Sequence, residues 1–215
     1  TIKIGTQSNG QGHKTAYAQL ASQHLDIPID KINVIQGDTA LIPTGTGTGG
    51  SRSLPVGGAA VDVGARALAD VIKEMAATEM EVGVADVEIV GGNVRVVGTD
   101  KAISYEKIAS LPGAEDKLKS HGTWRPPEPT FPNGTHICEV EIDPDTGATE
   151  IVAYTIVDDF GVTINPTLLA GQVHGGIVQG IGQALLERTV YDKESGQLLT
   201  ASFMDYAMPR ADHIP

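Results

Sequence analysis

Three segments of this chain of 215 residues carry more glycine and small polar residues than packing requires. They are residues 10–13 (GQGH), 44–53 (TGTGTGGSRS) and 171–176 (GQVHGG). Glycine accounts for 26 residues, well above the usual share of ~7%. Because glycine lets a backbone come close to a ligand, these segments are the first candidates for a binding site.

The first segment lies between a predicted strand and a predicted helix. A helix that starts there leaves free backbone N–H groups at its N-terminus, and these favour an anion. Gln11 adds an amide that can both donate and accept hydrogen bonds. A tight strand-to-helix turn without any ligand explains the same residues equally well, so both interpretations stay open.

The second segment leads into a long predicted helix and contains Arg52, whose guanidinium can hold a phosphate through two parallel hydrogen bonds. It lacks the Gly-Lys-Ser/Thr ending of the phosphate loops of nucleotide triphosphatases. Gly45, Gly47 and Gly50 match the letters of the dinucleotide fingerprint, but no tight strand-to-helix turn precedes them. A phosphate-binding loop and a flexible loop without ligand both fit.

The third segment lies inside a predicted helix, where each glycine costs about 1 kcal/mol relative to alanine. Several glycines there indicate the close approach of another backbone or of a cofactor. Gln172 and His174 would point to nearly opposite sides of this helix. We therefore expect His174 to be a buried structural histidine.

Other reactive residues are scattered. The six histidines lack metal-ligand spacing, and no His-Glu-x-x-His, Gly-x-Ser-x-Gly or kinase motif occurs, so we expect no metal site built from protein ligands. Cys138 lies in an alternating strand pattern, and we expect a buried small hydrophobe rather than a nucleophile. Asp158 and Asp159 follow a predicted strand and fit either acid–base chemistry or a turn.

Composition excludes several classes of function. The 27 acidic and 15 basic residues give a net charge of −12, which argues against nucleic acid as the main partner. A single cysteine excludes a disulfide framework and a zinc site built from cysteine pairs. No apolar run reaches the roughly 18 residues of a membrane helix. With no leader sequence in the chain, we expect a cytoplasmic protein.

The elements that must position the glycine segments alternate between helix and strand. Apolar periodicity predicts helices over residues 13–25, 54–80, 104–111 and 166–187. We expect Ser53 and Ser104 to cap the second and third helices. The buried face of the second helix is predicted to carry small apolar residues at i, i+4 spacing, namely Ala59, Val63, Ala67 and Val71.

Strands and turns complete the prediction. Strands are expected over residues 2–7, 31–37, 87–90, 94–97, 136–142 and 150–157, with a last hairpin joining 189–192 to 198–203. An irregular, proline-rich linker at 112–132 would separate a first half, 1–111, from a second half, 133–215. This mixture predicts an α+β fold, with helices packed on mixed sheets and several β-hairpins.

The three glycine segments, in this order, resemble the molybdenum-cofactor-binding large subunit of the xanthine oxidase family. That family includes xanthine dehydrogenases, aldehyde oxidoreductases and aerobic carbon monoxide dehydrogenases. The resemblance covers nearly the whole chain, including Asn165-Pro166 and residues 139–143 (EVEID) and 201–206 (ASFMDY). The GQGH and GSRS forms are typical of the bacterial carbon-monoxide-dehydrogenase-like branch, without assigning a substrate.

The resemblance implies a molybdopterin cofactor, in bacteria often the cytosine dinucleotide form, whose own dithiolene holds the molybdenum. Motif position implies that the pterin or its phosphate is contacted by Gln11, Gly12 and His13. It implies that the pyrophosphate is lined by Gly50, Ser51, Arg52 and Ser53, and that the pterin is also bonded by Gln172.

The resemblance also implies the reaction, in which an aldehyde, an N-heterocycle or carbon monoxide is oxidised with oxygen derived from water. Electrons would pass to iron–sulfur and FAD partners, in an enzyme that is an oligomer. The family's catalytic glutamate and its substrate loop match no segment here. We therefore expect a piece of a longer polypeptide, without catalytic residues and inactive in isolation, although a processed mature subunit is the alternative.

Two other functions stay open. One is a non-catalytic module that binds a different anion or cofactor through the same loops. The other is a folded fragment that binds nothing by itself.

Overall fold

The computed structural model describes residues 1–214, which divide into two compact units, residues 1–129 and residues 130–214. The first unit combines helices with short strands, and the second combines a helix with two long strands. The strands form two- and three-stranded sheets within the described residues. The predicted α+β class is confirmed.

Two helices dominate the first unit, α1 (His13–Leu25) and α2 (Ala59–Met80). Strands β1 (Ile2–Lys3) and β2 (Val34–Ile35) pair in parallel, so that β1, α1 and β2 form a small βαβ unit. A cluster of buried side chains joins these elements: Tyr17, Ala21, Val34, Val61 and Ala65. Strand β1 is shorter than predicted, because the Gly5 carbonyl and the Gln7 N–H bond to the loop at residues 47–48 instead of continuing the ladder. Strand β2 is also shorter, since a 3-10 turn, Ile29–Lys31, occupies the start of its predicted range.

An antiparallel sheet follows α2. It consists of β3 (Val87–Val90), β4 (Asn93–Val96) and β5 (Ala102–Ser104). Gly91 and Gly92 form the two-residue turn between β3 and β4, with φ of 58° and 73°. Two consecutive left-handed residues are what a type I′ turn requires, and glycine adopts them without strain. The predicted hairpin is therefore confirmed.

The stretch at 112–132, predicted to be an irregular linker, contains ordered structure. After α3 (Tyr105–Ala109), whose N-cap Ser104 accepts from the Lys107 N–H as predicted, comes α4 (Ala114–Lys117). Further on, the Ser120 hydroxyl donates to the Gly64 carbonyl of α2 at 2.7 Å. Proline content signals irregular backbone but does not show that such a segment packs on a neighbouring helix.

Two predictions about α2 were wrong. Ser53 does not cap the helix, because α2 is preceded by a π-helical stretch, Ser53–Gly58, which lacks a side-chain cap. The predicted buried face is also the wrong one: Val63 is exposed, whereas Val61 is buried. Small apolar residues occupy both sides of α2, so spacing alone cannot choose between them. Packing against α1 and the β3–β5 sheet buries the side with Val61, Ala65, Ala69, Ile72, Ala76 and Met80.

The second unit is built from an antiparallel ribbon and a helix. The ribbon pairs β6 (Asn133–Ile142) with β7 (Thr149–Asp159), with a register irregularity at Glu139/Val140. Helix α5 (Pro166–Ile181) begins at Asn165, whose side chain accepts from the Leu168 N–H at 3.0 Å, and continues as a π-helical stretch. The last predicted hairpin is reduced to one bridge, Tyr191 to Leu198.

Two residues of the second unit are exposed where burial was expected. Cys138 is exposed on β6, every residue of which is exposed, and His174 is exposed on α5. Both expectations were wrong. Strand alternation and helical spacing show which residues share a face, but they do not show which face is covered. Within residues 1–214, no helix combines the length and apolarity needed to cross a bilayer.

The face of α2 can be tested with two equal truncations. Val61 is 8% exposed, so we expect Val61→Ala to lower the free energy of unfolding by about 2 kcal/mol, through lost methyl burial and a small cavity. Val63, 37% exposed, is the matched control, and Val63→Ala should change this free energy by less than about 0.5 kcal/mol. Urea unfolding followed by circular dichroism measures both. An equal loss of unfolding free energy in the two variants would contradict the assignment of the Val61 side as the buried face of α2.

Candidate functional site

The first two glycine segments meet at one end of the first unit, because α1 and α2 run in the same direction. The Tyr17 hydroxyl donates to the Ser53 carbonyl oxygen at 3.0 Å, just before α2. Two turns further along α1, His24 Nε2 lies 2.6 Å from Asp62 Oδ1 in the first turn of α2. Contacts thus advance together along both helices. Their positive N-terminal ends therefore lie on the same side of the unit.

Segment 10–13 forms the start of α1. Gly12 is the N-cap and has no side chain to cap the helix. The first intrahelical bond is donated by the Ala16 N–H to the Gly12 carbonyl at 3.1 Å. The N–H groups of residues 13–15 therefore have no intrahelical acceptor. Gln11 closes the preceding turn, with its Oε1 accepting from the Asn9 N–H.

Residues 44–48 are anchored across the end of β1. The Gly47 N–H donates to the Gly5 carbonyl at 3.1 Å, and the Thr48 hydroxyl donates to the Gln7 carbonyl. A Cβ added at Gly5 would lie 2.5 Å from the Gly45 Cα, so the two backbones cross at a distance that only glycine permits. The base of this loop is therefore fixed by backbone contacts.

Residues 49–53 carry the exposed part of the same loop. Gly50 and Ser51 have φ of 61° and 55°, and Arg52 returns to φ −99°. A left-handed conformation is uncommon for a residue other than glycine, and such strain concentrates at functional sites. Successive residues of opposite backbone handedness can aim neighbouring N–H groups at one anion. The Arg52 side chain is exposed, and its Nε donates to the Gly49 carbonyl at 3.2 Å.

A partly buried polar network lies beneath the two segments. Gln36 Nε2 donates to Thr6 Oγ1 at 2.8 Å and to the Thr6 carbonyl at 2.9 Å. Thr6 Oγ1 lies 3.0 Å from the hydroxyl of Tyr17, which is fully buried. The sequence offered no motif for these three residues, which lie outside the glycine segments. Only the fold brings them under the loops.

His13 belongs to this network as a neutral side chain. It is 5% exposed, and burial lowers the pKa of its imidazole. Its Nδ1 lies 3.3 Å from Gln36 Nε2, whose two hydrogens face three acceptors, the two Thr6 oxygens and this nitrogen, so that at least one hydrogen is shared. Gln36 Nε2 has no lone pair and cannot accept a hydrogen from the ring. His13 Nδ1 must therefore accept, and the ring proton lies on Nε2. Burial also raises the pKa of the Tyr17 phenol, against the opposing hydrogen bond from Thr6, so Tyr17 stays a donor.

The remaining predicted residues lie in the second unit. Gln172 is exposed on α5. Apart from the chain neighbours and the backbone of α5 itself, no described atom lies within 4 Å of the position that a Cβ would take at Gly171, Gly175, Gly176 or Gly180. The described residues thus provide no backbone that these glycines would have to accommodate.

The acidic pair at the end of β7 divides into two structural roles. Asp159 Oδ1 accepts from the Gly161 N–H at 2.8 Å, which is a turn contact. Asp158 lies 3.2 Å from His136 Nε2 on the ribbon. Among residues 1–214, no group of three or more His, Cys, Asp and Glu side chains is arranged to hold a metal ion.

A family model described as a molybdopterin cofactor-binding domain matches residues 1–215. The chain belongs to this family. It is 37% identical over 220 residues to the carbon monoxide dehydrogenase large chain of Hydrogenophaga pseudoflava, which covers 99% of the chain and 27% of that protein. It is also 37% identical over 225 residues to the nicotine 6-hydroxylase large subunit of Paenarthrobacter nicotinovorans, covering 100% of the chain and 28% of that subunit.

A solved structure supports the same assignment. Quinoline 2-oxidoreductase from Pseudomonas putida 86 superposes with a TM-score of 0.80 at 34% identity, over 99% of this chain and 28% of that one. The resemblance seen in the glycine segments is confirmed: the chain is a segment of a molybdenum-binding large subunit of the xanthine oxidase family. It spans little more than a quarter of the length of these relatives.

The residues of this molybdopterin-binding domain fit an anionic cofactor. Segments 10–13 and 44–53 contain no Asp or Glu, although the chain carries a net charge of −12. They contribute helix N-terminal N–H groups, the hydroxyls of Ser51 and Ser53, and the Arg52 guanidinium. All of these are donors, and donors at helix N-termini are what a phosphate group requires.

The buried neutral state of His13 makes stability depend on pH. Because the folded-state pKa lies below the ordinary value of about 6.5, the unfolded chain takes up the proton first. Stability is therefore complete above that value and falls as the pH drops from there toward the lower folded-state pKa. Urea unfolding at a series of pH values should show this loss, and His13→Gln should reduce it. His121→Gln, at an exposed histidine, should leave it unchanged, and an equal pH dependence in all three proteins would contradict the assignment.

Proposed function

We propose that this chain is the part of a molybdenum hydroxylase large subunit that forms cofactor-binding walls. The observation that carries this proposal is the convergence of two donor-rich, carboxylate-free loops at the shared N-terminal end of α1 and α2. Family membership supports it, since the matched family binds molybdopterin. The residues bind and orient the cofactor.

The roles of individual residues follow from their groups. Gln11, Gly12 and His13 would contact the pterin or its phosphate through the free N–H groups at the start of α1. The loop at residues 50–53 would hold a pyrophosphate, with Arg52 as the cation. Gln172 would donate or accept at the pterin through its exposed amide.

The cytosine dinucleotide form of molybdopterin is the form that we propose. A dinucleotide carries a pyrophosphate, and the loop at residues 49–53 offers hydroxyl, guanidinium and backbone donors close together. When bound, the cofactor supplies a molybdenum redox centre at which oxygen from water is transferred to the substrate. The protein side chains in these two loops are neutral or cationic, so they can hold the cofactor's phosphates without repulsion.

The substrate would be an aldehyde, an N-heterocycle or carbon monoxide, and electrons would leave to iron–sulfur and FAD partners in an oligomeric enzyme of the cytoplasm. Relatives named for carbon monoxide and for nicotine match this chain at the same 37% identity. Proteins with such different substrates share the segment equally. This favours cofactor binding, rather than substrate choice, as its contribution.

Metal and pterin analysis of the full-length protein from its native host tests the proposal. We expect molybdenum and pterin in a ratio near one to one, with a cytosine nucleotide released on acid hydrolysis. An intact subunit that contains neither would instead support the alternative, a non-catalytic module that binds another anion. Pterin without cytosine nucleotide would contradict the dinucleotide form alone.

Removing the loop cation should weaken cofactor binding. A charge-assisted hydrogen bond contributes about 1.5–3 kcal/mol, so we expect Arg52→Ala in the full-length protein to weaken retention of the cofactor roughly 10- to 100-fold. Molybdenum and pterin content after dilution and gel filtration measures retention. Arg95→Ala is the matched control, because Arg95 pairs with Glu88 at 2.7 Å in the β3–β4 hairpin. Unchanged retention in Arg52→Ala would remove this residue from the site.

A further inference from the structure

We propose that Tyr17 is a positioning residue that holds the two cofactor loops in register through a directed chain of hydrogen bonds. The chain runs from Gln36 through Thr6 and Tyr17 to the Ser53 carbonyl. This inference rests on the proposed function and adds the element that keeps the loops of that site in place. Tyr17 itself touches neither the cofactor nor the substrate in this proposal.

The direction of the chain follows from counting hydrogens. The Tyr17 hydroxyl has one hydrogen and donates it to the Ser53 carbonyl at 3.0 Å. Its contact with Thr6 Oγ1, also 3.0 Å, must therefore be donated by Thr6. Thr6 Oγ1 in turn accepts from Gln36 Nε2 at 2.8 Å. Each hydroxyl donates once and accepts once, and such chains strengthen cooperatively in a buried environment.

The chain connects with both ends of the second loop. Ser53 is the residue at which the exposed part of that loop passes into the π-helical stretch before α2. Its hydroxyl lies 3.0 Å from the hydroxyl of Thr48, which is bonded to Gln7, the neighbour of Thr6. Tyr17 therefore fixes Ser53, and Thr6 lies beside the residue that fixes Thr48.

The chain also connects with the first loop. Tyr17 follows His13 by one helical turn, and the two rings lie 5.5 Å apart. Gln36 Nε2, at the head of the chain, also reaches His13 Nδ1 at 3.3 Å. A displacement of Tyr17 would therefore change the hydrogen bonds and packing of both proposed cofactor loops.

The Tyr17 hydroxyl is closely packed. The side chain is fully buried, and a Cβ added at Gly57 would lie 2.9 Å from the hydroxyl oxygen. The π-helical stretch thus packs directly on this oxygen. Short π-helical stretches are rare in proteins, and those that are found often lie at functional sites.

Gln36, at the head of the chain, has its amide hydrogens bonded and its amide oxygen unpaired. Its Oε1 is buried and has no hydrogen-bond partner among the described residues. Leaving a buried acceptor unpaired costs free energy, and such groups in native structures call for an explanation. The donors of the same amide face Thr6 and His13, so its orientation is set by the contacts that lead toward the two loops.

Tyr105 provides a matched control. Its hydroxyl donates to the Leu25 carbonyl at 2.8 Å, at the opposite end of α1 from the two loops. Burial raises the pKa of Tyr105 to about 12, with a contribution from Asp26, so it too stays a neutral donor. Tyr17→Phe and Tyr105→Phe each remove one hydroxyl that bonds a backbone carbonyl of the same unit.

Two measurements on the full-length protein test the proposal. Amide hydrogen exchange should become faster at residues 49–56 in Tyr17→Phe and stay unchanged there in Tyr105→Phe. The rate at which molybdenum and pterin are lost on dilution should rise roughly 2- to 10-fold in Tyr17→Phe and stay unchanged in Tyr105→Phe, as expected for loss of the one hydrogen bond that reaches the loop, at the Ser53 carbonyl. Thr6→Val, which breaks the chain one step earlier, should act in the same direction as Tyr17→Phe.

The outcomes separate this inference from the proposed function. Equal exchange at residues 49–56 in Tyr17→Phe and Tyr105→Phe would overturn the positioning role, whether or not cofactor is bound. If the wild-type protein lacks pterin, the proposed function is overturned. If exchange at residues 49–56 still differs between Tyr17→Phe and Tyr105→Phe in that case, the positioning of the loops by Tyr17 stands. Equal melting temperatures of the two variants with different cofactor loss would support positioning rather than general stability.

Discussion

The site depends on the packing of α1 against α2 in the same direction. Small side chains at the contact, Ala21 and Ala65, let the helices approach closely, and Tyr17 fills the remaining space at the loop end. Two helices that run in the same direction present their positive ends together. An antiparallel pair would place one glycine loop at each end of the unit, and no shared anion site could form. The hydrogen bond between His24 and Asp62 holds the same orientation further along.

The two loops contain only neutral and cationic groups, whereas the chain as a whole carries a negative net charge. A net charge of −12 would repel a phosphate-bearing ligand at long range. The two loops exclude carboxylates and offer backbone, hydroxyl and guanidinium donors, and His13 is kept neutral by burial. Binding would therefore rely on short-range directed hydrogen bonds, which salt screens less than it screens distant surface charges. A rigid loop base is needed for this, and the crossing of Gly5 and Gly45 supplies it.

The second unit shows a different balance of burial. Its ribbon exposes Ile137, Val140 and Val157, and its helix carries glycines with open space beside them. Apolar side chains exposed in this number are typical of surfaces that meet another part of a protein. The relatives that this chain matches are more than three times its length. Burial predictions for Cys138 and His174 failed here because they assumed that strand alternation and helical spacing mark a face that is covered within the segment itself.

The sequence by itself determined the family, the α+β class, helix α1 from its first to its last residue, the Gly91-Gly92 turn and the two donor-rich loops, because local periodicity, turn chemistry and ordered motifs are written along the chain. Only the tertiary structure decided which side of α2 is buried, that the helix starts with a π-helical stretch, and that Thr6, Tyr17 and Gln36 join the loops. These depend on contacts between residues as far apart as Tyr17 and Ser53. Apolar residues on both sides of a helix are equivalent until a neighbour covers one of them, and a buried hydrogen bond is specified by the fold that brings donor and acceptor together.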